Sequence, residues 1–289
     1  MNLATASVPD APFARSILDD PSIEITANDE ARIEQLRFSL PSRTEVAITF
    51  LPRETLDGRV RAARRVRENG FIPVPHLSAR RIGSVCELDR FLGSLVDQAQ
   101  VDRVFVVGGD IGMPAGPYGD ALAVIQSGLL ESHGIRRVGI AGYPDGHPQI
   151  SQADLEAALH DKLAVLRASD CQSWITTQFG FDAVPIASWL DRLRGQGIHV
   201  PVRIGVAGPA KVKSLLSFAA RCGVGVSARV MAKYGLSLTQ LLGSAGPVPL
   251  IEDLGQQLDP VRQGEVKLHV YPFGGIEKTA SWMADSLAG

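Results

Sequence analysis

Residues 104–110 read Val-Phe-Val-Val-Gly-Gly-Asp, a short β-like run that ends in two glycines and a carboxylate. The same order recurs along the chain, because a polar side chain stands at or just after the end of one apolar run after another. These end positions are Glu24, Thr49, His76, Asp110, Tyr143, Gln178 and Tyr271. In a (β/α)8 barrel the carboxyl ends of all strands form one rim, and that rim carries the catalytic residues. The pattern therefore predicts an enzyme with these polar groups at one site.

Eight such runs alternate with amphipathic segments, which predicts βα units around a parallel sheet. The predicted strands are residues 22–26, 45–50, 71–75, 103–108, 137–142, 172–178, 200–206 and 266–271. The predicted helices are residues 28–40, 55–69, 86–99, 117–132, 151–168, 183–196, 208–222 and 274–287. Residues 223–263 are too many for a simple connection, so we expect an extra helix at 228–242, followed by a Gly/Pro-rich link. The expected architecture is a single-domain (β/α)8 TIM barrel, residues 21–289, after a loosely held N-terminal arm, residues 1–20.

The composition excludes several classes of protein. A formal net charge of -2 over 289 residues leaves no broad electrostatic surface for nucleic acid. No apolar run is long enough to span a membrane, and residues 1–20 lack the apolar core of a signal peptide, so we expect a cytoplasmic protein. Three scattered cysteines and six histidines without ligand-type spacing predict no metal site. A solvated helix face is our interpretation of the basic run Arg59, Arg61, Arg64, Arg65 and Arg67.

Strand alternation indicates where the first carboxylate points. If Ile23 and Ile25 face the surrounding helices, Glu24 must point into the barrel. A carboxyl group held there without a partner would serve as a proton donor near neutral pH. The alternative, a buried carboxylate paired with an interior arginine or lysine, is equally compatible with the position alone.

Longer motifs carry a family resemblance. Residues 141–148 read Ala-Gly-Tyr-Pro-Asp-Gly-His-Pro, residues 152–155 Gln-Ala-Asp-Leu and residues 177–182 Thr-Gln-Phe-Gly-Phe-Asp. Ser-Ile-Glu-Ile at 22–25, Pro-His-Leu at 75–77, Gly-Asp at 109–110 and His-Val-Tyr at 269–271 complete the series. In order and approximate spacing these segments resemble the methylenetetrahydrofolate reductase family, in its bacterial type that consists of the catalytic domain alone. The resemblance covers about residues 20–285 and is strongest over 104–182.

The resemblance implies a flavin enzyme. Such a barrel holds FAD, and NADH or NADPH and methylenetetrahydrofolate take turns on one flavin face, giving 5-methyltetrahydrofolate. Glu24 resembles the acid that helps to open the five-membered ring of the folate, and Asp110 resembles the aspartate between flavin and pterin. Gln178 resembles the amide that holds the folate, with Tyr271 and Phe273 as further candidates for substrate binding. A homo-oligomer is compatible with the sequence, which does not determine the oligomeric state.

The resemblance also implies a set of cofactor contacts. These are Thr49, His76, Gly109, Asp110, Tyr143, His147, Asp154 and Lys162, the last after one inserted residue. Taken singly, most have an ordinary structural explanation: a threonine favours strands, a tyrosine packs in a core, and an Asp and a Lys on one helix form an exposed pair. Their joint occurrence in the family's order favours the functional interpretation.

Three departures place the chain in a divergent branch. Gly108 replaces an arginine before Gly109 and Asp110, Val212 stands where an aromatic residue usually stacks, and Phe273 lies in a segment that is usually polar and basic. They leave room for direct hydride transfer from NADH without a bound flavin. Two other hypotheses remain: a lyase or aldolase that uses Glu24, Asp110 and His76 around a metal or phosphate, and a barrel that binds folate or flavin without turnover.

Overall fold

The computed structural model describes residues 16–222, 224 and 244–288, with the backbone alone at 221 and 288. Eight parallel strands close into a barrel in the order β1-β10-β7-β6-β5-β4-β3-β2. These strands are β1 Ser22–Ile25, β2 Glu45–Ile48, β3 Ile72–Ser78, β4 Arg103–Val107, β5 Arg137–Gly142, β6 Gln172–Gly180, β7 Val202–Ala207 and β10 Val266–Tyr271. Two short segments, β8 Ala210–Lys211 and β9 Ser244–Ala245, pair antiparallel outside the barrel. The predicted (β/α)8 TIM barrel is therefore confirmed, with each strand close to its predicted bounds.

Helices follow the strands on the outside of the barrel. They span Leu56–Glu68, Val85–Ala99, Ala121–Ile125, Leu129–Ser132, Gln152–Ala168, Ala183–Gly195, Val212–Cys222, Val248–Gln257, Pro260–Gln263 and Ile276–Ala288. A short 3-10 turn covers Ala79–Arg81, and a longer 3-10 segment, Ala27–Phe38, replaces the first predicted α-helix. The helix predicted at 117–132 is interrupted, because Gly128 adopts a φ of 73° at the start of its second part.

Two expectations fall partly or wholly outside the described residues. The extra helix predicted at 228–242 lies outside them, but Val248–Gln257 and Pro260–Gln263 do add helical turns before β10. The link predicted through residue 249 is shorter than expected, because Pro249 lies at the start of a helix, where its missing N–H costs nothing. Of the predicted arm, Ile17 and Leu18 are buried against the barrel.

The main core lies between the strands and the helices. Ile23, Ile25, Val46 and Ile48 alternate along β1 and β2 and are all fully buried, because they face the outer helices. The barrel interior has a smaller cluster, in which Ala47, Val74 and Phe105 pack with Trp174. Gly139 makes room for the two rings, since a Cβ there would lie 2.4 Å from Trp174 and 2.6 Å from Phe105.

Charged side chains form a network near the amino end of the barrel. Arg103 and Arg203 both bind the Glu45 carboxylate, Arg203 at 2.9 Å, and Arg203 also lies 3.5 Å from Asp20. Burial opposes the charge of Asp102, but the guanidinium of Arg103, which hydrogen-bonds to it, holds the pKa of Asp102 below its usual value. These ion pairs give the buried charges partners of opposite sign and have a structural role. Within the described part of the chain, no helix is both long and apolar enough to cross a bilayer.

Candidate active site at the carboxyl-end rim

Glu24 points into the barrel from β1, as strand alternation predicts. Its Oε2 atom lies 3.7 Å from Nε2 of His76 on β3 and 3.9 Å from Nε2 of His269 on β10. The other ring nitrogen of His269, Nδ1, forms a hydrogen bond of 2.8 Å with the Ser22 hydroxyl. Among the described residues, imidazoles rather than an arginine or lysine stand at ion-pair distance from this carboxyl group. The arrangement differs from the buried ion pair that was the alternative at this position.

His76 is buried and uncharged. Burial lowers the pKa of His76 to about 4, although the nearby charge of Glu24 acts in the opposite direction. The backbone beside it is held by Arg59, whose guanidinium donates a hydrogen bond to the His76 carbonyl. Arg59 lies over the rings of Phe50 and Phe91, with its central carbon 4.6 and 4.9 Å from their centroids. A neutral imidazole beside Glu24 can accept or donate a hydrogen bond without adding a competing charge.

The interpretation of the arginine run as a solvated helix face is wrong for Arg59. This residue is 1% exposed, and burial lowers its pKa to about 10. Arg61 and Arg64 do lie on the solvent side and form exposed pairs with Glu30 and Glu68. The predicted helical spacing was correct, but spacing could not show which arginine is buried against the rings of Phe50 and Phe91.

A β-bulge at the end of β6 shapes the opposite wall of the rim. The pairing of β6 with β7 shifts register between Thr176 and Phe179, so the residues between them leave the regular ladder. The Thr177 hydroxyl accepts a hydrogen bond of 2.8 Å from the N–H of Gly205, and the Thr177 carbonyl accepts one of 3.0 Å from the Tyr271 hydroxyl. The bulge therefore fixes the phenol of Tyr271.

Gln178 follows in the same bulge, and its side-chain amide donates a hydrogen bond of 2.6 Å to the Cys222 carbonyl. The amide is thus held at the rim by the end of the helix Val212–Cys222. Burial, with added effects of Glu24 and Tyr143, raises the pKa of Tyr271 well above its usual value. The phenol consequently stays protonated, and Tyr271 lies within electrostatic reach of the Glu24 carboxyl group.

An aromatic stack lies beside this wall. The Phe273 ring stacks on Phe218 at 4.2 Å between centroids with an interplanar angle of 15°, and on Tyr271 at 5.8 Å with an angle of 12°. Phe179 meets Phe273 edge to face at 4.8 Å. Val212, where the sequence departs from the family, is buried under its helix, and Phe218 of the same helix brings a ring to the stack instead. Phe218 lies about 1.7 turns after Val212 and therefore on a different face of the helix, so the spacing in the sequence did not indicate this replacement.

Asp110 stands on the outer side of the rim and does not share the interior position of Glu24. Its side chain is 69% exposed and is bound by Arg81, whose Nη2 and Nε atoms lie 2.7 and 2.8 Å from Oδ1. Gly109 adopts a φ of 94°, which a residue with a side chain would rarely adopt. The sequence has Gly108 where the family has an arginine, and Arg81 from the turn after β3 is the cationic partner of Asp110 instead.

The remaining predicted contacts divide into two groups. Thr49 is half-buried at the end of β2, and the ring of Tyr143 meets that of His147 edge to face at 5.4 Å, just beyond β5. Burial raises the pKa of Tyr143 and lowers that of His147, so both rings favour their neutral forms. These three residues remain at the rim.

Asp154 and Lys162 belong to the helix that follows. The Asp154 carboxylate accepts a hydrogen bond of 2.7 Å from the Ser151 hydroxyl, which caps this helix. Lys162 is buried rather than exposed, and burial lowers its pKa despite the charge of Asp120. The exposed Asp–Lys pair considered as the ordinary explanation is therefore absent, since only Asp154 of the two is exposed.

The residues at the rim fit a flat ring system with a polar edge. A Cβ built at Gly108 would meet no atom within 4 Å, so the end of β4 leaves bare backbone beside open space. Neutral donors and acceptors come from Thr49 after β2, His76 in β3 and Tyr143 after β5, and this donor set is compatible with a flavin. Among the described residues, no group of three or more His, Cys, Asp or Glu side chains could hold a metal ion.

Comparisons with known proteins agree with the fold and give a limited sequence match. No protein-family model matches the chain. Methylenetetrahydrofolate reductase 1 of Schizosaccharomyces pombe is 35% identical over 69 residues, which are 24% of this chain but 11% of that protein. The chain thus matches only a small part of this relative.

Two solved structures share the fold at low sequence identity. An uncharacterised protein from Clostridium thermocellum, which binds two copies of 5-methyl-5,6,7,8-tetrahydrofolic acid, superposes with a TM-score of 0.57 at 12% identity over 94% of this chain and 97% of its own. Dihydropteroate synthase from Thermus thermophilus gives a TM-score of 0.50 at 14% identity, covering 94% of both chains. At these identities the similarity shows the barrel fold alone.

Proposed function

We propose that this chain reduces 5,10-methylenetetrahydrofolate to 5-methyltetrahydrofolate with NADH or NADPH. The observation that carries the proposal is the Glu24 carboxyl group, which faces two imidazoles inside the mouth of the barrel. Opening the five-membered ring of the substrate requires a proton on a weakly basic aryl nitrogen, and an enclosed carboxylic acid suits that step. A site that only binds folate would not require an acid at this position.

The chain's own residues supply acid, positioning and enclosure. Glu24 would donate the proton to the folate nitrogen, and His76 and His269 would orient its carboxyl group, the latter fixed by Ser22. The protonated phenol of Tyr271 adds a hydroxyl group beside the acid without adding a charge. The stacked rings of Phe273 and Phe218 offer an apolar surface for the flat pterin or its aryl ring.

The outer rim would bind the polar ends of the ligands. Asp110 is a hydrogen-bond acceptor for the donor edge of a pterin, and Arg81 holds its carboxylate in place. The Gln178 amide offers both a donor and an acceptor, anchored by the carbonyl at Cys222. The substrate would therefore lie between the aromatic stack and the strand ends that carry Glu24 and His76.

A flavin would be held by Thr49, His76, Tyr143 and the bare backbone at Gly108, with His147, Asp154 and Lys162 toward its polar parts. Bound there, FAD would supply a hydride carrier between the nicotinamide and the folate. The alternative is direct transfer from NADH, favoured by the replacement of a cation by Gly108 and by the burial of Val212. Both routes use Glu24 in the same role.

Ligands of the compared proteins support a folate over other barrel substrates. The Clostridium thermocellum protein of the same fold binds the product expected of this reaction, and the short match in Schizosaccharomyces pombe belongs to a named methylenetetrahydrofolate reductase. The motifs at 141–148 and 177–182 point to the same reaction. These indications agree on a small folate ligand.

The test is anaerobic oxidation of NADH or NADPH by the purified protein with and without 5,10-methylenetetrahydrofolate, before and after added FAD. We expect oxidation that depends on the folate and yields 5-methyltetrahydrofolate. Dependence on FAD would identify the flavin route, and full activity without it the direct route. Folate binding without oxidation in either condition would contradict the reductase proposal, and activity that depends on an added metal ion would favour a lyase.

A further inference from the structure

A cavity of about 480 Å³ opens at the amino end of the barrel, opposite the rim that carries Glu24. Its wall is built from the first residues of β5, β6, β7 and β10 and from the last turns of the helix Gln152–Ala168. This volume is within the range of small-molecule sites in proteins. The proposed reductase function makes no use of this end of the barrel.

Cationic side chains outnumber carboxylates in this cavity. Arg137, Arg167, Arg203 and Lys267 line it, together with Glu45, Asp170 and Glu265. Two of the cations already have partners, because Arg203 binds Glu45 at 2.9 Å and Lys267 donates a hydrogen bond of 3.2 Å to the Ser16 carbonyl. The guanidinium of Arg137, by contrast, makes no hydrogen bond or ion pair with the described part of the chain. Its charge contributes to lowering the pKa of Asp102.

An indole forms part of the same wall. Trp174 is half-buried and lines the cavity, and its Nε1 atom donates a hydrogen bond of 3.1 Å to the Thr176 hydroxyl. That hydrogen bond and the close approach at Gly139 fix the ring, and the ring and the guanidinium of Arg137 line the same cavity. An arginine next to an aromatic ring is a combination that recognises planar anions.

The charge of the cavity favours a monoanion over a phosphate. Three carboxylates line it, and the helix Gln152–Ala168 ends there with its carbonyl groups, which carry partial negative charge. The helix amino ends that usually bind phosphate lie at the opposite end of the barrel. A single carboxylate can pair with Arg137, whereas the second charge of a phosphate would lie among these carboxylates and carbonyl groups.

We propose that the amino-end cavity is a second ligand site, which binds a small aromatic carboxylate between Arg137 and the indole of Trp174. Its wall includes Glu45, Trp174 and Arg203, which also face the barrel interior below His76 and His269. A ligand in the cavity would contact these three side chains, which separate it from the candidate active site. The proposal does not depend on the identity of the reaction at that site.

The test follows the indole N–H resonances of the full-length protein, in which the three tryptophans are labelled with nitrogen-15. Trp189 and Trp282 are buried and do not line the cavity, and the Trp174→Phe variant assigns the third resonance. The probes are 2-naphthoate, its neutral amide and inorganic phosphate. We expect 2-naphthoate to shift the Trp174 resonance saturably, and the amide and phosphate to bind at least about tenfold more weakly.

Neighbouring arginines provide a matched pair of variants. Arg137→Gln should raise the dissociation constant for 2-naphthoate about tenfold or more. Arg136→Gln should leave it within about twofold, since Arg136 points to the Ser169 carbonyl at 3.3 Å and not into the cavity. Absence of a saturable shift at Trp174, equal binding of the amide, or equal effects of the two variants would each overturn the proposal. Because binding is the readout, failure of the reductase assay would not affect this result.

Discussion

Replacing His76 by glutamine should change how the stability of the protein depends on pH. Burial lowers the pKa of His76 to about 4 in the folded protein from 6.5 in the unfolded chain. As the pH falls below about 6.5, the unfolded chain therefore binds the proton first, and folding loses stability until the pH reaches about 4. The loss amounts to about 2 kcal/mol at pH 5 and about 3 kcal/mol in full.

The assay is urea unfolding of three proteins at pH 7.5 and pH 5.0. The wild-type protein should lose about 2 kcal/mol more than the His76→Gln variant between these two values. His199 is exposed, so His199→Gln serves as the matched control and should lose as much as the wild type. Equal pH dependence of the wild type and His76→Gln would refute the conclusion that His76 is buried in its neutral form.

Three further predictions concern the rim and the barrel interior. Glu24→Gln should still bind folate but reduce it about 10² to 10⁴ times more slowly, as measured in single turnovers, because a general acid is lost; near-normal turnover would remove Glu24 from that role. Asp110→Asn should weaken folate binding about tenfold in a titration, through loss of a charged acceptor, and unchanged affinity would count against its pterin contact. Gly139→Ala should lower the free energy of unfolding by about 1–3 kcal/mol in thermal or urea unfolding, since its Cβ would overlap Trp174. Gly112→Ala, with open space around it, should lower it far less. Equal losses of stability in the two variants would show that the barrel interior relaxes around the added methyl group.

The barrel was predictable because its strands are short apolar runs that end in polar residues. The inward direction of Glu24 was equally accessible, since period-two alternation at Ile23 and Ile25 fixes the face of β1. Some boundaries could not be obtained in this way. The segment Ala27–Phe38 has helical spacing but adopts 3-10 geometry, and Gly128 divides a pattern that is continuous in the sequence.

The surroundings of the site depend on contacts that are distant in sequence. Arg59 carries no local sign that it will be buried, because its burial depends on Phe50 and Phe91 from other elements. The bond between Arg81 and Asp110 joins two different strand ends, and Phe218 reaches the aromatic stack through the packing of its helix. Periodicity identifies the face of an element but not the partner that this face meets.

The most direct test of the central proposal follows the transferred hydrogen. The protein would be incubated anaerobically with 5,10-methylenetetrahydrofolate and NADH that carries deuterium at the transferable position, with FAD added, and the folate product would be analysed by mass spectrometry. The proposal predicts conversion to 5-methyltetrahydrofolate, and far less of it from Glu24→Gln. Deuterium in the methyl group would mark direct transfer from NADH, whereas an unlabelled methyl group would mark the flavin route, because the hydrogen on a reduced flavin nitrogen exchanges with water. Unlabelled folate recovered unchanged, while the labelled NADH persists, would contradict it.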